Sequence, residues 1–220
     1  MQLSQLRAKS RLKLDEVSEG FWTDDELDGY IGESYFDLWQ IMLNAKHQGT
    51  LKTDLLDIVG GTAEIPLPTD FSAARLVERV IDGGTVPLWW EERFDQPNYT
   101  TGITSGYRFN VRFVGQNLVC EPTPSDSQTD GIKLTYYFFP EQLEDDIDTP
   151  NAALHAFYHD LIPYGAVVIA KSKEEMVGGG GADLGPWGAL MQAKLERFKA
   201  SVELPSVTRQ AVEPFEMGDC

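Results

Sequence analysis

Residues 23–42, TDDELDGYIGESYFDLWQIM, carry apolar side chains at Leu27, Tyr30, Ile31, Tyr35, Leu38, Trp39 and Met42. Spacings of three and four residues put these on one face of an α-helix. Thr23 and Glu26 form the capping-box pattern that satisfies free N–H groups at a helix start. Asp24 and Asp25 suit the positive end of its dipole. A helix from Thr23 to near Gly49 is therefore predicted. A shorter one precedes it, with Leu3, Leu6, Leu14 and Val17 loosely on one side, a basic stripe of Arg7, Lys9, Arg11 and Lys13, and Gly20 as the break.

Beyond residue 50 the period changes. Glu64–Pro68 (EIPLP) must be extended, because each proline biases its predecessor away from helix. Strands are predicted over Leu76–Ile81, Thr85–Phe94, Tyr107–Phe113, Leu118–Cys120 and Ile132–Phe139, with turn-forming residues between them. Pro87 lacks a donor, which assigns its strand to an edge or a bulge. Residues 95–106 read as a mobile loop. The adjacent aromatics Trp89-Trp90 and Tyr136-Tyr137 face opposite sides of their strands, so one of each pair is expected outside the core.

Helical period resumes after Pro150, through Leu154, Phe157, Tyr158, Leu161, Ile162, Gly165, Val168 and Ile169, with Pro163 expected to kink or divide the helix. Gly178–Gly181 reads as a linker. A last helix carries Trp187, Leu190, Met191, Leu195, Phe198 and Val202, and residues from Leu204 onward show no period. The expected fold class is α+β: a helical bundle formed by the N- and C-terminal helices, with an inserted, mostly antiparallel β subdomain. The boundaries are 1–49 for the N-terminal helices, 50–140 for the β subdomain, 141–203 for the C-terminal helices and 204–220 for an extended arm.

The chain of 220 residues is 42% hydrophobic, enough for an ample core. Its formal charge of −17 repels phosphate backbones, which excludes tight nucleic-acid binding. Cys120 and Cys220 make no disulfide framework, so a reducing compartment is expected. Neither a signal-peptide pattern nor an apolar stretch of membrane-spanning length is present, so a protein made in the cytoplasm without membrane contact is expected.

Catalytic patterns fail one after another. His155 and His159 have a two-ligand helical spacing, but Ala156 stands where the zinc-hydrolase motif needs Glu. GGGGADLGPWG lacks the Lys-Ser/Thr of a phosphate loop. EQLEDDID (141–148) lacks the glycine and alternating ligands of a calcium loop, and reads as a solvated acidic turn before a helix. No G-x-S-x-G occurs, and Cys220 has no base fixed beside it. No catalytic residue, cofactor or metal site is expected.

Four phrases resemble one known family. FWTDDELDGYI (21–31), EIPLPTDF (64–71), a strand end Pro140–Asp146 with its leucine and acids, and AFYHDLIPYGA (156–166) look like the head-to-tail adaptor, or connector, proteins of tailed bacteriophages. The resemblance implies a non-enzymatic virion protein at the head–tail neck, made in the host bacterial cytoplasm. It implies a homo-oligomeric ring, typically of twelve copies, between the portal protein and a downstream tail or nozzle protein. Genomic DNA would pass through without specific binding. The resemblance also implies a C-terminal arm reaching the portal; Leu204–Cys220 spans about 55 Å if extended, with Leu204, Val207, Val212 and Phe215 as anchors. The alternatives are another neck or tail-terminator subunit, or a small metal-dependent hydrolase using His155 and His159.

Overall fold

The computed structural model describes residues 1–16, 20–81, 84–88, 110–178 and 185–203. Two helices open the chain, α1 (Leu3–Leu14) and α2 (Asp24–Asn44). The capping box at α2 is formed in full: Glu26 N donates to Thr23 Oγ1 at 3.2 Å, and Thr23 N to Glu26 Oε2 at 3.0 Å. The Thr23 amide, and then the Thr23 hydroxyl, both donating to Oε2, draw the Glu26 carboxyl below its ordinary pKa. α2 buries the face that its period predicts, Leu27 through Met42.

Seven strands follow among the described residues: β1 (Leu51–Ile58), β2 (Glu64–Pro66), β3 (Phe71–Ile81), β4 (Gly84–Pro87), β5 (Asn110–Val114), β6 (Asn117–Glu121) and β7 (Gln128–Phe138). They form a four-stranded sheet in the order β1-β7-β3-β4 and a three-stranded sheet in the order β2-β6-β5, antiparallel throughout. Pro87 lies on the outermost described strand of the first sheet, where a missing donor costs least. Two further helices, α3 (Leu161–Gly178) and α4 (Gly185–Val202), end the described chain.

The expected frame, a helical bundle of the chain ends carrying an inserted β subdomain, is corrected by this arrangement. Four helices and two antiparallel sheets dominate the core together. The sheets hold a cluster of their own, in which Ile58, Val77, Leu118, Cys120, Ile132, Leu134 and Tyr136 are buried. A second cluster joins Leu3 and Leu6 of α1, the buried face of α2, Leu161, Ile162 and Ala166 of α3, and Phe198 of α4. Phe138, at the end of β7, packs against both. There the Trp39 indole donates to the Phe138 carbonyl at 2.8 Å, with the rings 5.2 Å apart.

β7 is the reason. It lies between β1 and β3; Tyr136 is buried in the sheet cluster, while Tyr137, 8% exposed and so not open to solvent as one of the pair was expected to be, joins neither apolar cluster. Tyr137 meets Arg75 Nη1 through its hydroxyl at 3.1 Å. Alternation alone cannot distinguish a solvent face from a face that a second layer covers.

Pro163 neither kinks nor divides a helix. It is the third residue of α3, in the first turn, where its missing N–H has no intrahelical partner to lose. The segment before it, expected to be helical from Pro150, is instead irregular with one 3₁₀ turn at Ala156–Tyr158. The loop over 95–106, the strand portions 89–94 and 107–109, Trp89-Trp90 and most of the glycine run lie outside the described residues.

Candidate interaction surface

The basic stripe of α1 is spent inside the molecule. Arg7 Nε donates to Asp28 Oδ1 at 2.7 Å, and its Nη2 sits 3.0 Å from Asp146 Oδ1. The Asp28 bond is the main reason the Arg7 guanidinium holds its proton more tightly than usual. Arg11 bridges Asp24, Glu16 and the Trp22 carbonyl. Lys9 pairs with Asp160 at 2.6 Å, and Lys13 lies 4.0 Å over the Tyr164 ring. α1 is thus a cationic strut between α2 and the segment leading into α3.

The acidic run 141–148 receives the other end of that strut. Leu3 N donates to Asp148 O at 2.8 Å and Ser4 N to Asp146 O at 3.2 Å. The Asp148 carboxylate accepts from the Glu144 and Asp145 amides, both at 2.9 Å, which lowers its pKa. These acids are fasteners. No three His, Cys, Asp or Glu side chains among the described residues cluster as a metal site would require.

His155 and His159 are not on one helix face, as their spacing predicted. They flank the 3₁₀ turn, and each is engaged locally. His155 Nδ1 accepts from Phe157 N at 3.2 Å. His159 is buried, with Nε2 2.9 Å from the Leu154 carbonyl and Nδ1 3.2 Å from the Met1 amine. A carbonyl only accepts, so Nε2 carries the proton and Nδ1 offers its lone pair. Burial pushes the His159 pKa down, favouring this neutral ring. Cys120 is likewise buried, its thiol pushed up to about 11 by desolvation.

At the junction of helices and sheets lies a cleft of about 500 Å³, lined by Tyr35, Lys52, Asp70, Phe139, Ile147 and Asp148 among others. Two of its lining residues are paired, Lys52 Nζ lying 2.9 Å from Asp70, and Asp70 in turn lies 2.8 Å from the buried Tyr136 hydroxyl, which is 2.7 Å from Asp54. Burial, then these two carboxylates, raises the Tyr136 pKa. A second groove of about 370 Å³ runs between α2 and residues 142–144, floored by Gly29 and Gly32. Large apolar side chains stand out in solvent: Leu12 and Phe157 are each 78% exposed, Ile147 73% and Phe21 63%. Their positions were not readable in the sequence, since Phe157 was assigned to an apolar helical face that the chain does not form.

The proposed arm anchors Leu204, Val207, Val212 and Phe215 lie outside the described residues. No helix among the described residues is long and apolar enough to cross a membrane.

The family model for the SU10 adaptor protein matches residues 1–212. The chain belongs to that family. The match spans helices and sheets alike, and it agrees with the phage head-to-tail adaptor resemblance carried by the four phrases quoted above. A search of curated proteins finds none similar to the adaptor.

Proposed function

We propose that this adaptor is a structural subunit of a ring between the portal and the tail of a phage particle, with the DNA channel at its centre. Family membership over residues 1–212 carries this reading. The strong acidity fits a wall past which DNA slides, since like charge keeps phosphates from adhering. The exposed apolar side chains fit a protein finished by its neighbours. A metal-dependent hydrolase is not supported by His155 and His159, which flank a 3₁₀ turn, with both ring nitrogens of His159 and Nδ1 of His155 taken up by adjacent backbone and the Met1 amine. The portal and a downstream tail or nozzle protein are the partners in this reading, and a closed ring of twelve copies is the stoichiometry the family resemblance implies.

Residues 204–220 are assigned as the portal-binding arm, with Leu204, Val207, Val212 and Phe215 alternating with polar residues as anchors. Deleting 204–220 tests this. The truncated protein is expected to fold, because both described cores are assembled from residues up to Val202, yet to lose co-sedimentation with the portal. Undiminished co-sedimentation would contradict the arm's role.

A further inference from the structure

α2 contains two glycines that no contact among the described residues requires. A Cβ built on Gly29 or Gly32 meets no atom within 4 Å, and neither has a positive φ. A glycine in a helix interior costs about 1 kcal/mol relative to alanine, so this regular helix gives up stability for an open hollow. The hollow is the groove between α2 and residues 142–144, with Phe36 at one end and Asp25, Glu33 and Glu144 around it. Asp25, Gly29, Gly32 and Phe36 follow the spacing 0, 4, 7, 11 and lie on the side of α2 opposite Ser34, which faces α3. Among the described residues Asp25 and Glu33 form no salt bridge, and burial, with a smaller push from Glu33, raises the Asp37 carboxyl.

The outward face of α4 has the matching shape. Ala189, Ala193, Glu196 and Ala200 repeat the same spacing on the side opposite the buried Phe198. Leu190 is 41% exposed beside them, and Arg197 is exposed with no salt bridge among the described residues. Glu196 is held by Gln192 Nε2 at 2.8 Å and Lys199 Nζ at 3.4 Å. In a chain of formal charge −17, α4 carries three cations (Lys194, Arg197, Lys199) against one acid (Glu196), while α2 carries six acids and no cation. Each face is about 16 Å long, eleven residues at 1.5 Å rise.

We infer that α4 of one copy seats in the α2 groove of the next, antiparallel, with Ala193 over Gly32. Leu190 then reaches Phe36, and Arg197 lies between Asp25 and Glu33. Donor and acceptor faces are different surfaces of one chain, so the contact is head-to-tail and propagates around a ring. This rests on the ring reading above.

The test is a chain carrying Gly32→Cys and Ala193→Cys in a Cys220→Ser background, mixed with portal, imaged by electron microscopy and oxidised. A disulfide ladder running past the dimer is the expected result. Rings that form without a ladder, a ladder that stops at the dimer, or an adaptor–portal cross-link through Gly32→Cys would each overturn this contact while leaving the ring reading intact. Absence of rings with the unmodified chain would overturn the ring reading and this contact with it. A Gly32→Leu variant separates assembly from folding: it is expected to match or exceed the parent's thermal midpoint and to lose ring formation at least tenfold. Ring formation at the parent's level by that variant would contradict the inference.

Discussion

Gly165 shows how one residue sets the distance between two helices. A Cβ there would come 2.1 Å from Ser34 Oγ and 2.9 Å from Ser34 Cβ, so α3 lies directly on α2 at that point. Gly165→Ala is expected to lose about 1–3 kcal/mol of stability, the usual penalty for forcing extra volume into a packed core. Urea denaturation measures it, and adding Ser34→Gly should return part of the loss as a non-additive coupling. His159 gives a second expectation. Its folded pKa lies below the ordinary value, so the unfolded chain binds the extra proton first. Stability is therefore expected to fall as pH drops below about 6.5, and His159→Gln should flatten that slope without changing the profile above it. The sequence placed Gly165 on an apolar face, but which residue would stand opposite is a tertiary fact with no local signal. The pair His155 and His159 was misleading for a related reason: spacing has meaning only on a helix, and the backbone there makes a 3₁₀ turn.

At the scale of elements, the start and buried face of α2 were legible almost to the residue because period, cap and dipole all agreed, whereas its end, expected near Gly49, falls at Asn44. β1 was not legible. It lies at the edge of its sheet, only Ile58 is buried, and Lys52, Asp54 and Asp57 break the apolar alternation. α1 was legible as a helix, but its four cations read as surface charge when they are the means by which it docks. Removing Arg7 tests that role. Arg7→Ala should speed amide exchange across Leu3–Leu14, while β3 and β7 keep their protection, because the lost bonds and ion pairs run to Asp24, Asp28 and Asp146, none of them in the sheets. Equal loosening of the sheets would contradict the picture of α1 as a strut. The irregular run 141–160 was misjudged for a similar reason. Its order comes from Asp148 folding back on two amides and from the α1 contacts, and a windowed pattern contains neither.

For the whole molecule, strand and helix content followed from periodicity, whereas the division of the core did not. Two apolar clusters meet at Trp39 and Phe138, so the sheets stabilise the molecule jointly with the helices. Family phrases reached the adaptor family where no catalytic pattern in the sequence pointed to a function, because an adaptor's working parts are surfaces and not a constellation of reactive groups. The central claim is a ring on the portal, and its most direct test is electron microscopy of the purified full-length chain mixed with portal, with mass measured by light scattering. A closed ring of adaptor copies seated on the portal is the expected result. A protein that remains monomeric and leaves every portal bare would contradict it.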